Sequence, residues 1–347
     1  MPSLRMPAEW HPHEATWIAW PHETSDWPGK FQPVPWVYGE FVRKVSRVER
    51  VRILADGERH EGIRRVLQKS GAVMEAVELF PYPTDRSWTR DFCPTFVHDD
   101  AGAVTALNWR FNAWAKYDNW QRDDAAPDFI ARKLRLPQQK PALGKHRIVL
   151  EGGSIEVNGA GTLLTTEECL LSDVQARNPG LGRGEIEAVF AQYLGIRKVL
   201  WLNNGIAGDD THGHIDDLAR FTDRHTVVIA TESDKTDPNY EPLRENLRLL
   251  RAMTDQDGQP LRVVTLPMPR PVVFHGQRLP ASYANFYIAN GLVLVPTFND
   301  PADRVALGTL AKLFPQREVC GIHCVDLVLG LGTLHCMTQQ QPAALTL

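Results

Sequence analysis

The chain has 347 residues, 43% of them hydrophobic and 23% charged, and it carries a formal net charge of -4 at pH 7. This composition is ordinary for a globular protein and gives no general attraction for nucleic acid or for an anionic membrane surface. No apolar stretch approaches about 18 residues and the start of the chain has no leader-like apolar core, so we expect neither a membrane span nor a secretion signal.

The predicted elements alternate between helices and strands along the chain. Apolar residues that recur at intervals of three and four predict the helices, and short apolar or β-branched runs between turn signals predict the strands. The predicted helices cover residues 37–48, 59–70, 123–135, 183–193, 241–254 and 301–314. The predicted strands cover residues 16–20, 51–55, 77–82, 95–98, 103–111, 147–150, 154–157, 162–165, 198–202, 219–221, 226–231, 261–266, 283–289, 292–296 and 318–322.

Two Asn-Gly pairs, Asn158-Gly159 and Asn290-Gly291, predict tight hairpin turns. Around them the order of elements repeats weakly, because paired strands, a helix and a further strand recur about five times at spacings of roughly 60–70 residues. The repeats share no sequence identity, so a solenoid is not predicted. The pattern predicts an α/β fold with mixed strands and no interdomain linker.

Four segments break this alternation, because polar residues and glycines replace the expected apolar positions. They fall at strand ends and in the loops that follow, where the sites of α/β proteins are usually assembled. Taken singly, each also fits a capped turn, a bulge, an ion pair or a solvated loop. The four segments cover residues 87–91, 150–154, 208–217 and 330–340.

The last of these segments presents Cys336 as a candidate nucleophile. Chain ends usually fray, yet Gly330 and Gly332 precede a His-Cys pair and a Thr-Gln-Gln run, which predicts a terminal segment fixed in the interior. A cysteine nucleophile needs a deprotonated sulfur and a group that moves protons. His214 is the candidate for the second role, and in an extended segment it would share one face with Asp216.

A metal site is an alternative interpretation of the same clusters. The candidate ligands of a divalent ion are Asp209, Asp210, His212, His214 and Asp216. A metallohydrolase built on them would lose its activity with a chelator. Cys320 and Cys324 lack the usual C-x2-C spacing, so zinc bound together with Cys336 is not predicted. The five cysteines make no disulfide framework, which predicts a reduced cytosolic protein.

The carboxylates of the polar segments indicate the charge of the substrate. Asp91, Glu151 and Asp210 would join Asp216 in making the pocket anionic. An anionic pocket raises the pKa of a thiol, so a free thiolate is disfavoured unless the substrate is itself a cation. Carboxylates bind a guanidinium in a two-pronged geometry, which favours a guanidino compound. A non-catalytic cation-binding module is a lower alternative, because it would not need Cys336.

Four motifs occur in order along the chain. They are Trp88-Thr89-Arg90-Asp91, Glu151-Gly152-Gly153-Ser154, Asp210-Thr211-His212-Gly213-His214-Ile215-Asp216 and Leu334-His335-Cys336-Met337-Thr338-Gln339-Gln340. Together they resemble the motifs of the agmatine deiminase family, the bacterial-type peptidylarginine deiminase-like branch of the guanidine-modifying superfamily. The stretch from Pro7-x-Glu9-Trp10 to Trp20-Pro21-His22 is also similar to that family, so the resemblance covers nearly the whole chain.

The resemblance implies one catalytic domain over residues 1–347, folded as a five-bladed α/β propeller with pseudo-fivefold symmetry (a pentein). It implies a hydrolase that converts agmatine to N-carbamoylputrescine and ammonia through a covalent thiouronium on Cys336. His214 would protonate the departing ammonia and then activate water. The other implied site residues are Asp91 and Asp216 on the guanidinium, Glu151 on His214 or the substrate, and Trp88, Arg90 and Asp210 as substrate-binding neighbours.

The resemblance implies no metal or organic cofactor, and a small cationic guanidino compound is the expected partner, rather than nucleic acid or a membrane. The family often assembles, so a homo-oligomer is possible. Two positions depart from the pattern that we expect of agmatine deiminases: His212 replaces an acidic or amide residue, and Leu331 replaces a glycine. Both flank the site and bear on substrate identity, so a deiminase of arginine, peptidyl-arginine or another guanidino compound is the alternative.

Overall fold

The computed structural model describes residues 3–345, in which helices alternate with short strands in an α/β fold. Met1 and Pro2, part of the stretch inspected for a leader, lie outside the described residues. The α-helices of the described range are α1 (Val34–Val45), α2 (His60–Ser70), α3 (Thr89–Phe92), α4 (Gln121–Leu134), α5 (Glu167–Leu171), α6 (Arg183–Leu194), α7 (Tyr240–Ala252) and α8 (Pro301–Leu313). The strands of that range are β1 (His13–Ala19), β2 (Arg50–Ala55), β3 (Val77–Pro81), β4 (Thr95–His98), β5 (Val104–Leu107), β6 (Gln138–Gln139), β7 (Ala142–Leu143), β8 (His146–Arg147), β9 (Glu156–Val157), β10 (Thr162–Thr166), β11 (Lys198–Leu202), β12 (Ala219–Phe221), β13 (Thr226–Thr231), β14 (Arg262–Pro267), β15 (Val273–Phe274), β16 (Gln277–Arg278), β17 (Tyr287–Ala289), β18 (Leu292–Thr297), β19 (Glu318–His323) and β20 (Gln339–Pro342).

Five sheets repeat one pairing pattern. In each, an antiparallel pair is extended by a strand that runs parallel to its neighbour and is reached through a helix. Their strand orders are β20-β1-β2-β3, β4-β5-β6, β9-β10-β11, β12-β13-β14 and β17-β18-β19. The recurrence that the sequence predicts is therefore confirmed for the described residues. The hairpins β7-β8 and β15-β16 lie outside this repeat.

Local sequence explains where the helices begin and end. Asp300 caps α8, since its side chain accepts a hydrogen bond from the Ala302 N–H, and Pro301 occupies the first turn, where no backbone N–H is needed. Gly71 follows α2 in the left-handed conformation, with φ of 78°, which a residue without a Cβ adopts readily. These signals are local, and the sequence therefore places both helices to within one residue.

The central strands are buried on both faces and consist of nearly continuous apolar runs, as in β13 and β18. The largest hydrophobic cluster joins residues from the two ends of the chain, from Trp17 and Trp27 to Leu334 and Cys336. This cluster fixes the segment that carries Cys336 within the core. Among the helices described between residues 3 and 345, none is both long and apolar enough to cross a membrane.

Several predicted elements differ in extent from the structure, among them the strand predicted over 103–111, which is confined to β5, and the strand predicted over 154–157, which is confined to β9. The helix predicted over 37–48 is α1, Val34–Val45, because Pro35 fits its first turn. The strand predicted over 147–150 is confined to β8, since Val149 instead bridges Arg110 just before Glu151. The strand predicted over 283–289 is confined to β17, because the residues before it form a loop that carries Asn285 to Cys336.

Candidate active site

Cys336 lies in a C-terminal segment that is held inside the protein, as the sequence predicts. Strand β20, which follows it, pairs with β1, and the Cys336 carbonyl accepts a hydrogen bond from the Arg90 N–H at 3.2 Å. The cysteine is 6% exposed. Two glycines permit this close packing: a Cβ on Gly332 would lie 2.9 Å from the Cβ of Cys336, and one on Gly330 would lie 2.6 Å from the Trp27 ring.

Asn285 holds the thiol and its backbone from the other side. Its side-chain amide donates to Cys336 Sγ at 3.1 Å, and its Oδ1 accepts from the His335 N–H at 3.0 Å. The same amide donates to Asp217 Oδ1 at 3.0 Å. Sequence reasoning missed Asn285. The available signal was an amide in an otherwise apolar run, since a buried amide needs bonding partners.

His214 comes directly before a 3₁₀ turn, Ile215–Asp217, and not in the extended segment that the sequence suggested. The turn still brings the two predicted residues together, with His214 Nδ1 3.9 Å from Asp216 Oδ1. On the other side of the ring, Nε2 lies 3.4 Å from Glu151 Oε2. Arg177, which the sequence did not single out, donates through Nε to both oxygens of Glu151 at 3.1 and 3.2 Å. Arg177 thus fixes the carboxylate that holds the imidazole.

Two buried atoms at this centre have no hydrogen-bond partner among the described residues: His214 Nδ1 and Asp216 Oδ1. Buried polar groups are almost always bonded, so such a pair marks the position of a ligand group. Asp91 Oδ1 lies 3.9 Å from His214 Nδ1, and Cys336 Sγ lies 3.6 Å from Asp216 Oδ2. A ligand group that fits here carries positive charge, donates hydrogen bonds to the carboxylate oxygens and offers an atom that can accept the proton of His214.

A cavity of about 630 Å³ reaches Cys336. Its wall includes Trp88, Asp91, Trp114, Asp210 and Leu331. The indole of Trp114 donates to Asp91 Oδ2 at 2.9 Å and the Gly153 N–H donates to Oδ1 at 3.0 Å, so the carboxylate of Asp91 is fixed by two donors. Trp114 itself has a φ of 59°. Such left-handed backbone in a residue with a side chain is strained and clusters at functional sites.

Burial raises the pKa of the Cys336 thiol well above its usual value, and the negative charges of Asp216, Asp217 and Asp91 raise it further. The thiol is therefore protonated at rest, which agrees with the expectation drawn from the acidic motifs. A nearby cation is needed to stabilise the thiolate.

The imidazole of His214 is charged at rest. Burial alone would lower its pKa, but Asp91, Cys169 and Glu151 raise it well above the usual value. Burial raises the pKa of Asp91 to about 6, in opposition to the lowering effect of His214. Burial also acts to raise the pKa of Glu151, but Arg177 and His214 hold it below its usual value.

Arg90 does not line the cavity, although the motif suggested contact with the substrate. It is 3% exposed, and its guanidinium donates to Gln340 Oε1 at 2.6 Å and to the His335 carbonyl at 3.3 Å. These contacts tie the segment around Cys336 to α3. The structure therefore places Arg90 behind the site rather than in it.

Asp210 faces the cavity, whereas His212, two residues later, faces away from it. Asp210 lies on the cavity wall, where it forms an ion pair with Lys116 and accepts a hydrogen bond from the Tyr117 hydroxyl at 2.6 Å. His212 turns away from the cavity, with Nε2 3.1 Å from Ser172 Oγ. Of the two departures from the expected pattern, only Leu331 thus contributes to the cavity wall.

Two groups of described residues each bring three potential metal-ligand atoms within 4.8 Å of one another. They are Glu151, Cys169 and His214, and Asp216, Asp217 and Cys336. In the first group both Glu151 oxygens already accept from Arg177. The set suggested by the sequence does not assemble, because His212 turns toward Ser172.

An α/β fold that places a buried thiol, an imidazole and several carboxylates at one cavity defines a cysteine-dependent enzyme with an acidic site. The model of the Porphyromonas-type peptidyl-arginine deiminase family matches residues 5–342. The chain belongs to this family.

Individual relatives are similar over nearly the whole chain. Agmatine deiminase of Pseudomonas aeruginosa (strain LESB58) is 37% identical over 363 residues, which cover 98% of this chain and 96% of that protein. The structure of agmatine deiminase of Enterococcus faecalis gives a TM-score of 0.90 at 32% identity and covers 99% of this chain and 97% of that one. The structure of C. jejuni agmatine deiminase with substrate bound gives a TM-score of 0.88 at 29% identity and covers 99% of this chain and 97% of that one.

Proposed function

We propose that this protein hydrolyses agmatine to N-carbamoylputrescine and ammonia. The observation that carries the proposal is the unpartnered pair, His214 Nδ1 and Asp216 Oδ1, beside Cys336 in an acidic site. A planar guanidinium supplies N–H donors to carboxylates and presents its carbon to the thiol. The similarity to agmatine deiminases over nearly their full length supports the same substrate.

In the first half of the reaction, the substrate cation stabilises the Cys336 thiolate, the thiol proton passes to solvent through the cavity, and Sγ attacks the guanidinium carbon to form a carbon–sulfur bond. Asp91 and Asp216 hold the guanidinium nitrogens. His214 then donates its proton to the departing nitrogen, the carbon–nitrogen bond breaks and ammonia leaves. A cationic thiouronium remains on Cys336.

In the second half, the neutral His214 takes a proton from water and the water oxygen attacks the thiouronium carbon. The carbon–sulfur bond breaks, the hydroxyl proton of the adduct passes to the leaving sulfur, Cys336 is restored as a thiol and the ureido product departs. Glu151, held by Arg177, keeps the imidazole aligned in both halves. Trp88 and Asp210 lie along the substrate on the cavity wall.

An ammonia-release assay over agmatine, arginine, arginine methyl ester and arginyl peptides tests the reaction and the substrate together. We expect the highest kcat/KM with agmatine. Turnover of arginyl peptides above agmatine would assign the protein to peptidyl-arginine instead, and no ammonia from any of these guanidines would refute deimination.

The affinity for agmatine should fall in mild acid. A guanidinium binds ionised Asp91, and because the pKa of Asp91 is raised to about 6, protonation removes this charge at a higher pH than for an ordinary carboxyl. We expect kcat/KM to fall below pH 6 by up to about tenfold per pH unit. The pH profile of kcat/KM measures this.

Two variants test whether the fall in kcat/KM below pH 6, the step in the pH profile, comes from Asp91. Asp91→Asn should bind agmatine weakly, and its pH profile should lack the step near pH 6. Asp26 also lines the cavity and has its pKa raised to about 6, mainly by burial, so Asp26→Asn is the matched control and should keep the step. Loss of the step in Asp26→Asn alone would move the assignment from Asp91 to Asp26.

Leu331 is expected to pack against the methylene chain of agmatine. It lines the cavity with a φ of 68°, a conformation that costs a residue with a Cβ about 1–2 kcal/mol. We expect Leu331→Gly to raise the KM for agmatine about fivefold at unchanged kcat, because each lost methylene contact is worth about 0.8 kcal/mol. Kinetics with agmatine and methylguanidine measure this. An equal change for both substrates, or none, contradicts a role in recognising the tail.

We further propose that the five repeated sheets surround a pseudo-fivefold axis as a five-bladed propeller and that residues 1–347 form one catalytic domain. The recurrence of the repeat and the pairing of β20 with β1, which joins the end of the chain to its start, support this arrangement. The expected partner is a small guanidino cation. A cytosolic location and a homo-oligomer stay predictions from the sequence.

A further inference from the structure

Glu9, His335 and Asp216 form a buried chain of hydrogen bonds directly behind Cys336. His335 Nδ1 lies 2.7 Å from Asp216 Oδ2, and His335 Nε2 lies 2.7 Å from Glu9 Oε2. The three residues are 4%, 1% and 0% exposed, in the order given. Glu9 and His335 are 326 positions apart in the sequence, so only the folded chain brings them together.

The two contacts of His335 define its protonation. An ionised carboxylate only accepts hydrogen bonds, so both ring nitrogens must donate, and the ring that satisfies both carboxylates is an imidazolium. Glu9 stays ionised, because Arg220, His335 and Arg90 together overcome burial and hold its pKa well below the usual value. The hydrogen bond from His335 likewise overcomes burial and lowers the pKa of Asp216.

The orientation of Asp216 follows from this chain. Because Oδ2 is bonded to His335, the free oxygen Oδ1 is the one that faces His214 Nδ1 at 3.9 Å. Oδ1 has no partner among the described residues. The backbone N–H of His335 donates to Asn285 Oδ1, so the main chain that carries the ring is fixed, and the ring itself is held by its two carboxylate contacts.

We infer that Glu9 is a positioning residue for the proposed deimination: through a doubly protonated His335 it holds Oδ2 of Asp216 and leaves Oδ1 for the guanidinium. This inference rests on the proposed function for the role of Asp216. Glu9 itself touches neither the cavity wall nor the thiol.

The charged and titratable groups around His335 come from several elements. They are Glu9, Arg90, Glu156, Asp216, Arg220 and Cys336. Arg220 donates to Glu156 and to Glu9, at 2.9 Å in each case. When the charge of Glu9 is removed, Arg220 and His335 each keep one carboxylate partner, Glu156 and Asp216. An arginine stays protonated in either case, whereas an imidazole can lose one of its two ring protons. The change falls on the protonation of His335.

The direct test is nitrogen NMR of the protein labelled with ¹⁵N-histidine, in the parent and in Glu9→Gln, with His335→Gln to assign the signal. At neutral pH we expect both ring nitrogens of His335 to be protonated in the parent, because each lies 2.7 Å from a carboxylate oxygen. In Glu9→Gln only one ring nitrogen should be protonated at the same pH, because a neutral amide replaces one of the two carboxylates. A neutral ring in the parent, or the same behaviour in both proteins, would overturn the inference. This outcome does not depend on turnover and so stands apart from a failure of the proposed function.

Kinetics on agmatine provide the second measurement. We expect Glu9→Gln to lower kcat/KM tenfold or more relative to the parent, mainly through KM. His335→Gln should lower kcat/KM in the same way, and Glu9→Asp should restore much of the activity. Glu49→Gln is the matched control, since Glu49 is buried against His13 and Thr16. A KM for Glu9→Gln equal to that of the parent, which is the result expected for Glu49→Gln, would show a role in stability only.

Discussion

We expect Cys336→Ala to abolish ammonia release from agmatine and to leave the protein folded. The proposed reaction passes through a carbon–sulfur bond, and alanine offers no atom that can form it. The expected loss in kcat is about 10⁴-fold or more, the scale on which removal of a covalent nucleophile acts. The fold should persist, because the change removes one atom, and the segment stays tied by β20 and by the Arg90 hydrogen bond.

The measurement is ammonia release combined with thermal unfolding. Cys320→Ser is the matched control: Cys320 is half-buried on β19 and its thiol contacts Glu318, so this variant should keep the activity of the parent. Turnover by Cys336→Ala at a rate near that of the parent would refute covalent catalysis.

His214→Gln should lower kcat on the order of 10²- to 10⁴-fold with little change in KM, the range expected for loss of a general acid and base. Glutamine keeps much of the side-chain volume, so packing against Glu151 is retained, but it can neither protonate ammonia nor deprotonate water. Steady-state kinetics on agmatine measure this.

The control for His214 lies two positions before it in the same loop. His212→Asn should behave like the parent, since the His212 ring contacts Ser172 away from the cavity, and asparagine tolerates the left-handed backbone, here with φ of 63°. Normal rates in His214→Gln would transfer the role of proton carrier to another group. Equal losses in both variants would indicate a disturbed loop instead.

The sequence predicts most of the fold wherever the signals are local. Asp300-Pro301 at the start of α8 and the Asn158-Gly159 turn between β9 and β10 are such signals, and the structure agrees with both. The predicted strand over 283–289 fails for a tertiary reason, because Asn285 leaves the strand to bond Cys336. Apolar periodicity alone cannot report that competition.

In the candidate site, too, some residues are indicated by local sequence and others are brought in only by the fold. The motifs single out Cys336, His214, Asp91, Asp216 and Glu151, because glycine-rich polar runs stand out in an apolar pattern. Arg177 has no such context, and its contact with Glu151 arises only in the fold. Arg90 shows the opposite error, since it stands in a motif beside Asp91 yet lies behind the site.

The pairing of β1 with β20 has a consequence for synthesis on the ribosome. Strand β1 ends at Ala19 and its antiparallel partner begins at Gln339, so one edge of β1 lacks its partner until almost the whole chain has emerged. At 5–20 residues per second this interval lasts roughly 16–65 s. During that time the exposed edge is a site where nascent chains can pair wrongly. Cys336 is also synthesised late, so a prematurely terminated chain carries neither this proposed nucleophile nor the strand that completes the first sheet.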